Sequence, residues 1–319
     1  MRVFALFLIL FGCLNVFGQS GRVTADAKSG SAAAAQEISV KAMFDETNGY
    51  IRAKGEEFDA KKIQFSDRLF TQAKLEQRQM AARFAAGASA RVNLAEEDFY
   101  YLGMLHWIAE NNDGTVDALS KFIASESDDA ARRQTARSIV VVVLAKQRKL
   151  KEGEALLAEY LKSGPTRLTE KARMQGELAK AYQTKKDYIK MAPHAEEGYL
   201  SSKQLLSDSS SRARGLDEIL DAGMLVYEAY RDLGDQKKAE AALDDMRATA
   251  ITYDSPSFYY YAVDQKIKYL IDTGRKIQAL DFYQASLSNA GKDFTAKASQ
   301  TDILSRLKKR EKHYKLLGD

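Results

Sequence analysis

Three histidines, one cysteine and many carboxylates are the residues of this 319-residue chain with chemistry to offer. His106 and Glu110 stand one helical turn apart, the spacing at which two ligands on one helix face reach a single metal ion. A zinc site needs three or four donors, and no cysteine beyond Cys13 exists to complete it. The pair therefore reads as a polar residue at a helix surface or seam. His194, Glu196 and Glu197 read as an exposed helix start, where acids suit the dipole, and His313 lies in a basic run near the end of the chain. Glycine-rich phosphate loops, G-x-S-x-G and H-E-x-x-H are absent, and "GKDFTAK" at 291–297 lacks the preceding glycine spacing of a P-loop. No intrinsic active site, cofactor or metal is expected.

The elements that must position these residues are helical by composition. Hydrophobic residues make up 45% and charged residues 29%, which excludes disorder throughout. Prolines number only three (Pro165, Pro193, Pro256), and Ala, Glu, Lys, Arg, Leu and Gln abound. Little turn chemistry is left for a sheet. With 48 basic against 44 acidic side chains, the charge of +4 does not call for nucleic acid.

The first residues address the chain elsewhere. "MRVFALFLILFGCLNVFGQS" has Arg2, an apolar run from Val3 to Phe11 and small-residue spacing at Val16-x-Gly18. This is the form of a signal peptide over 1–18, too short to span a bilayer, which takes about 20 residues. Release after Gly18 makes the protein periplasmic or secreted and leaves no thiol. The alternative is a membrane-anchored lipoprotein, because "LFGC" resembles the bacterial lipoprotein box with Cys13 as the lipidated residue. Residues 19–37, small and polar, read as a flexible leader.

Apolar stripes at Val40, Phe44, Ile51 and Phe58, and at Leu69, Ala73, Met80 and Phe84, predict a helical hairpin over 38–90, with Asn48-Gly49 a candidate break in its first arm. Asn93 with Glu96 predicts the next helix start. "SIVVVVLA" at 138–145 has strand-like composition but no flanking Gly or Pro and no partner strand, so a buried helix is expected. Pro193 is expected to start a helix rather than lie within one.

In "VYEAYRDLGDQKKAEAALDDM", Val226, Tyr230 and Leu233 precede Gly234-Asp235, and Ala239, Leu243 and Met246 follow at the same helical spacing. Val226, Tyr227, Tyr230, Gly234, Asp235, Ala239, Leu243 and Met246 together resemble the signature of the tetratricopeptide repeat. Leu270, Gly274, Ala279 and Tyr283 keep the same offsets, as do Leu178, Ala179, Tyr182 and Asp187, with Met191 in place of the small residue. Weaker copies are Val141, Leu144, Leu150, Gly153, Leu157 and Tyr160, and the pair Ala118 and Phe122. Taking Ala118, Gly153, Met191, Ala239 and Ala279 as equivalent gives spacings of 35, 38, 48 and 40, against about 34 in the standard repeat. The serine-rich segment 201–215 takes up the longest gap, as a stretched helix end plus a loop.

This resemblance, covering residues 94–290, implies an all-α fold: a right-handed α-solenoid of antiparallel helix pairs, preceded by the hairpin and closed by a C-terminal capping helix over 291–319. It implies a concave groove that holds a protein or peptide partner. By position the groove takes Arg173 and Lys180 from the third unit, Asp221, Glu228 and Arg231 from the fourth, and Tyr261, Asp264 and Lys268 from the fifth. The Lys and Asn set that clamps a C-terminal carboxylate in some such proteins is absent. "SFYYYAVDQKIKYL" at 257–270 should split its tyrosines between core and surface. "RLKKREKHYK" at 306–315 alternates with Leu304, Leu307 and Leu316, as a docked helix with solvated charges does. The ending "KREKHYKLLGD" also resembles the helix before the thioredoxin domain of TlpA-type thiol-disulfide oxidoreductases. That implies, as the alternative, the helical front part of a redox enzyme, although the chain holds no C-x-x-C.

Overall fold

Short polar side chains start many of the helices. Ser39, Ser66, Asn111, Asp129, Asp187, Asp235 and Ser255 each accept a hydrogen bond from the backbone N–H three residues on, at 2.8–3.4 Å, which satisfies an N–H that the helix itself leaves without a partner. The structure is a computed structural model that describes residues 38–64, 66–125, 127–208, 212–311 and 314. The signal peptide, the leader, Cys13 and His313 lie outside the described residues.

Thirteen helices and no strand occur among the described residues, so the fold is all-α. They are α1 (Val40–Ala60), α2 (Asp67–Ser89), α3 (Glu96–Ile108), α4 (Asn112–Ala124), α5 (Ala130–Lys146), α6 (Leu150–Lys162), α7 (Leu168–Lys185), α8 (Tyr188–Asp208), α9 (Arg212–Leu233), α10 (Gln236–Thr252), α11 (Pro256–Asp272), α12 (Lys276–Asp293) and α13 (Lys297–Lys309). Each helix packs on the next along the chain. A second set of contacts skips one helix: α1 on α3, α5 on α7, α7 on α9 and α11 on α13.

Left-handed residues follow seven of the helices: Lys62, Glu110, Arg148, Lys186, Gly234, Asp254 and Gly274, with φ from 52° to 77°. Only at Gly234 and Gly274 does the residue type announce this conformation, since glycine alone enters it without a Cβ penalty.

Several expected boundaries move. Asn48-Gly49 does not break α1, which runs unbroken to Ala60 because Met43 and Thr47 anchor its buried face. Asn93 does not cap α3. Ala95 takes that place and its N–H donates to Asp98 at 3.0 Å. Pro193 does not begin α8, which starts at Tyr188. Asp187 caps it, and buried Met191, Ala192 and Ala195 hold the first turns against α7. The proline ring is exposed, and the carbonyl that it leaves without a helical partner belongs to Ile189, itself 77% exposed, on the solvent side of the helix. The stretched helix end expected in the serine-rich segment is present, since 201–208 belong to α8 and α9 resumes at Arg212.

"SIVVVVLA" lies inside α5, as its flanks predict. From Gln134 to Ala145 every residue but Arg137 is buried. The β-branched run suits a helix covered on all sides, where side-chain burial outweighs intrinsic propensity. Val141, Val142 and Ala145 join a core that extends through α6 to α13. Ile139, Val140, Val143 and Leu144 join a second core built with α1 to α4. Trp107 and Leu156 pack against both. In α9 and α10, Tyr230 is 6% exposed, while Ala239, Leu243 and Met246 are 0 to 1%.

Candidate functional site

Helix periodicity places the candidate residues on faces before any tertiary contact does. Arg173 and Lys180 on α7, Asp221 and Glu228 on α9, and Tyr261 and Lys268 on α11 are each seven residues apart, two turns along one face. The packing of α7 on α9 then joins two of these faces. The charge of Lys180 bears on Asp221, and the charges of Glu228, Asp221 and Asp264 bear on Tyr261. Partial desolvation raises the Asp221 carboxyl above its ordinary range, against the pull of Lys180. Tyr261 is 36% exposed beside buried Tyr259 and half-buried Tyr260, the division of tyrosines expected from the aromatic run. Burial and then the acids around it raise its hydroxyl.

Other members of the set are engaged elsewhere. Glu228 accepts from Gln183 Nε2 at 2.5 Å, and Asp264 accepts from the Tyr314 hydroxyl. Arg231 turns to its own neighbour, donating from Nε and Nη2 to Asp232 at 2.9 and 3.1 Å. Lys180 lies 3.2 Å from Glu177, and Lys268 is exposed. Arg173 is half-buried, with its guanidinium carbon 4.9 Å from the ring centre of Trp107 on α3. The ammonium of exposed Lys146 on α5 lies 5.1 Å from the same ring. Burial lowers the Arg173 pKa, and Glu177 only partly opposes it. The contacts of Arg173 and Lys146 with Trp107 are not visible in repeat positions, because they join α3 to α7 and α5.

The histidines are held by hydrogen bonds. His106 sits half-buried where α2, α3 and α4 meet. Asn111 uses its Oδ1 to cap α4, so its amide Nδ2 donates to His106 Nδ1 at 3.2 Å. That assignment leaves Nε2 to carry the proton and donate to Ser89 Oγ at 3.3 Å. Glu110 turns away to Arg78, 2.7 Å off, so the pair one turn apart does not converge.

His194 differs from its expected exposed position. Because α8 begins at Tyr188, its second turn faces α7, and the imidazole stacks on Tyr182 at 5.7 Å and 7°. Nδ1 is 2.6 Å from buried Gln175 Oε1, and Nε2 is 3.6 Å from Glu154. Glu154 also accepts from the Tyr182 hydroxyl at 2.5 Å. Glu196 accepts from Tyr230 at 2.5 Å, and Glu197 pairs with Lys171. His194, Glu154, Gln175 and Glu197, with Leu157 and Leu161, border an open depression of about 310 Å³ formed by α6, α7 and α8. Burial lowers the pKa of both histidines.

Among the described residues, no group of three or more His, Cys, Asp or Glu is placed to hold a metal ion, and no helix is long and apolar enough to cross a membrane. Comparison with models of known protein families finds no match, and comparison with curated proteins finds none either.

Proposed function

We propose that the chain is a non-catalytic scaffold that binds a protein or peptide partner outside the cytoplasm. Its helices would form a tetratricopeptide-like, right-handed α-solenoid. One observation carries the reading: α7, α9 and α11 gather Lys180, Asp221, Glu228, Asp264 and the exposed Tyr261 into a single neighbourhood of mixed charge. The skipped-helix contacts of α5 on α7, α7 on α9 and α11 on α13 suit a solenoid in which the first helices of successive pairs line one side. Left-handed Gly234 and Gly274 and the fully buried Ala239 and Ala279 agree with the repeat signature. The polar groups of His106 and His194 serve packing seams, which favours binding over catalysis.

Photo-cross-linkers placed at Tyr261 and Lys268 test this. A defined partner should be trapped at both positions and lost when Asp221→Lys and Asp264→Lys are combined. Cross-linking that ignores the charge reversal refutes the assignment of this face. Export is tested separately, by the intact mass of the protein in the periplasm or medium. A mature chain beginning at Gln19 gives one mass, a lipidated Cys13 another, and an uncleaved Met1 refutes both.

A further inference from the structure

We propose that Trp107, Lys146 and Arg173 form an anchor for a carboxylate of the bound polypeptide, at the end of the groove opposite Tyr261. The inference rests on the binding role proposed above and adds the chemistry of one end of the ligand. Among the described residues, most buried or half-buried cations have an acid: Lys266 lies 2.6 Å from Asp244, Lys203 lies 2.8 Å from Asp245, and Arg275 and Arg132 pair with Glu240 and Glu97. Arg173 does not. Its acidic neighbour, Glu177, is 3.2 Å from Lys180, and the guanidinium lies instead against the indole.

A half-buried guanidinium has lost part of its hydration, and at Arg173 no carboxylate of the described residues lies within ion-pair distance to offset that loss. The guanidinium carbon lies 4.9 Å from the centre of the Trp107 ring, and its planar N–H fork can bond a carboxylate at two points. Lys146, exposed on the same ring, adds a second positive charge that no carboxylate neutralises. A planar carboxylate matches this arrangement.

The rest of the face decides what carries the carboxylate. Arg173 and Lys180 share one side of α7, and Lys180 leads to Asp221, Glu228 and Asp264. A polyphosphate or nucleic acid laid along these helices would meet that acidic stretch and be repelled, whereas a polypeptide can present an acidic residue to one end and basic residues to the other.

Trp107 is the only tryptophan in the sequence, so its fluorescence reports this site directly. The probes are a short acetylated, amidated peptide carrying glutamates followed by lysines, and its counterpart with glutamine for each glutamate. The glutamate peptide should change Trp107 emission saturably. Affinity should fall about tenfold or more in Arg173→Gln and Lys146→Gln, and also on raising salt from about 50 to about 500 mM. Circular dichroism of each variant confirms that the helices persist. Equal binding of the glutamine peptide, or affinity unchanged in Arg173→Gln, overturns the proposal. Tighter binding of inorganic polyphosphate than of the peptide overturns the choice of a polypeptide. If these titrations fail while cross-linking at Tyr261 and Lys268 still traps a partner, the anchor alone is wrong.

Discussion

Replacing Leu243 by alanine tests the packing that every functional statement presumes. Leu243 is 1% exposed on α10, which lies against both α9 and α11, with fully buried Ala239 and Met246 one turn to either side. Losing its buried side-chain carbons removes about 1.5–3 kcal/mol of burial. The cavity left between three helices raises the total to about 2–5 kcal/mol, the smaller value applying if Met246 relaxes into the space. Leu233, at the end of α9 and 39% exposed, is the matched control, and Leu233→Ala should cost less than about 1 kcal/mol. Urea unfolding followed by helical circular dichroism measures both, with the midpoint shifting and the slope kept if unfolding remains cooperative. A transition that splits in two signals that the α9–α11 region unfolds separately, as nearest-neighbour coupling allows. A Leu243→Ala loss below about 0.5 kcal/mol, or equal losses at the two leucines, would refute the packing.

Other substitutions probe individual contacts. A Cβ on Gly103 would lie 2.5 Å from Leu119 Cγ and 3.2 Å from the Leu119 backbone nitrogen, so Gly103→Ala should destabilise by about 1–3 kcal/mol. Gly49, mid-helix in α1 with nothing within 4 Å of such a Cβ, should gain about 0.5–1 kcal/mol as alanine. Thermal denaturation of the pair reads both signs. Gly234→Ala places a Cβ at φ 75° and should cost about 1 kcal/mol or more, whereas Gly153→Ala should be tolerated, since its Cβ would meet Leu178 at 3.5 Å. Burial depresses the pKa of His106 and His194 below the unfolded value of about 6.5, so the unfolded chain binds protons first as pH falls. Their contribution is complete above about pH 6.5 and is lost on acidification through the folded values. The denaturation midpoint should therefore drop between about pH 7 and pH 5, and less steeply in His106→Gln.

Periodicity and caps made much of this fold legible. The Gly234-Asp235 turn announces itself twice, once through a residue free to be left-handed and once through a side chain that caps α10. The valine run of α5 could be assigned because it lacked the flanks and partners of a strand. Boundaries failed where a local signal met a packing demand. Pro193 favours a helix start, but Met191 and Ala192 need helical backbone before it, and one lost bond on the solvent side is a small cost against their burial. Lys62, Glu110, Arg148 and Lys186 were unreadable as left-handed turn residues because their side chains do not favour that conformation, and Asp254, of a type that tolerates it, gives a weaker signal than glycine.

Site residues divide along the same line. Tyr261, Asp264 and Lys268 could be placed on one face because helical spacing alone determines it. Arg173 could be placed on its helix but not against Trp107, which depends on how α3, α5 and α7 meet. At that seam α5 is buried from Gln134 to Ala145 except at Arg137, so few of its side chains are available to line a groove. Trp107 packs against both cores and meets Lys146 and Arg173 on its ring. A contact made on it is therefore a contact on the joint between the two halves of the chain. Loss of the indole should weaken the packing of α1 to α4 on the rest of the chain together with the placement of the two cations. For that reason the cations, and not the tryptophan, are the residues whose replacement separates binding from folding.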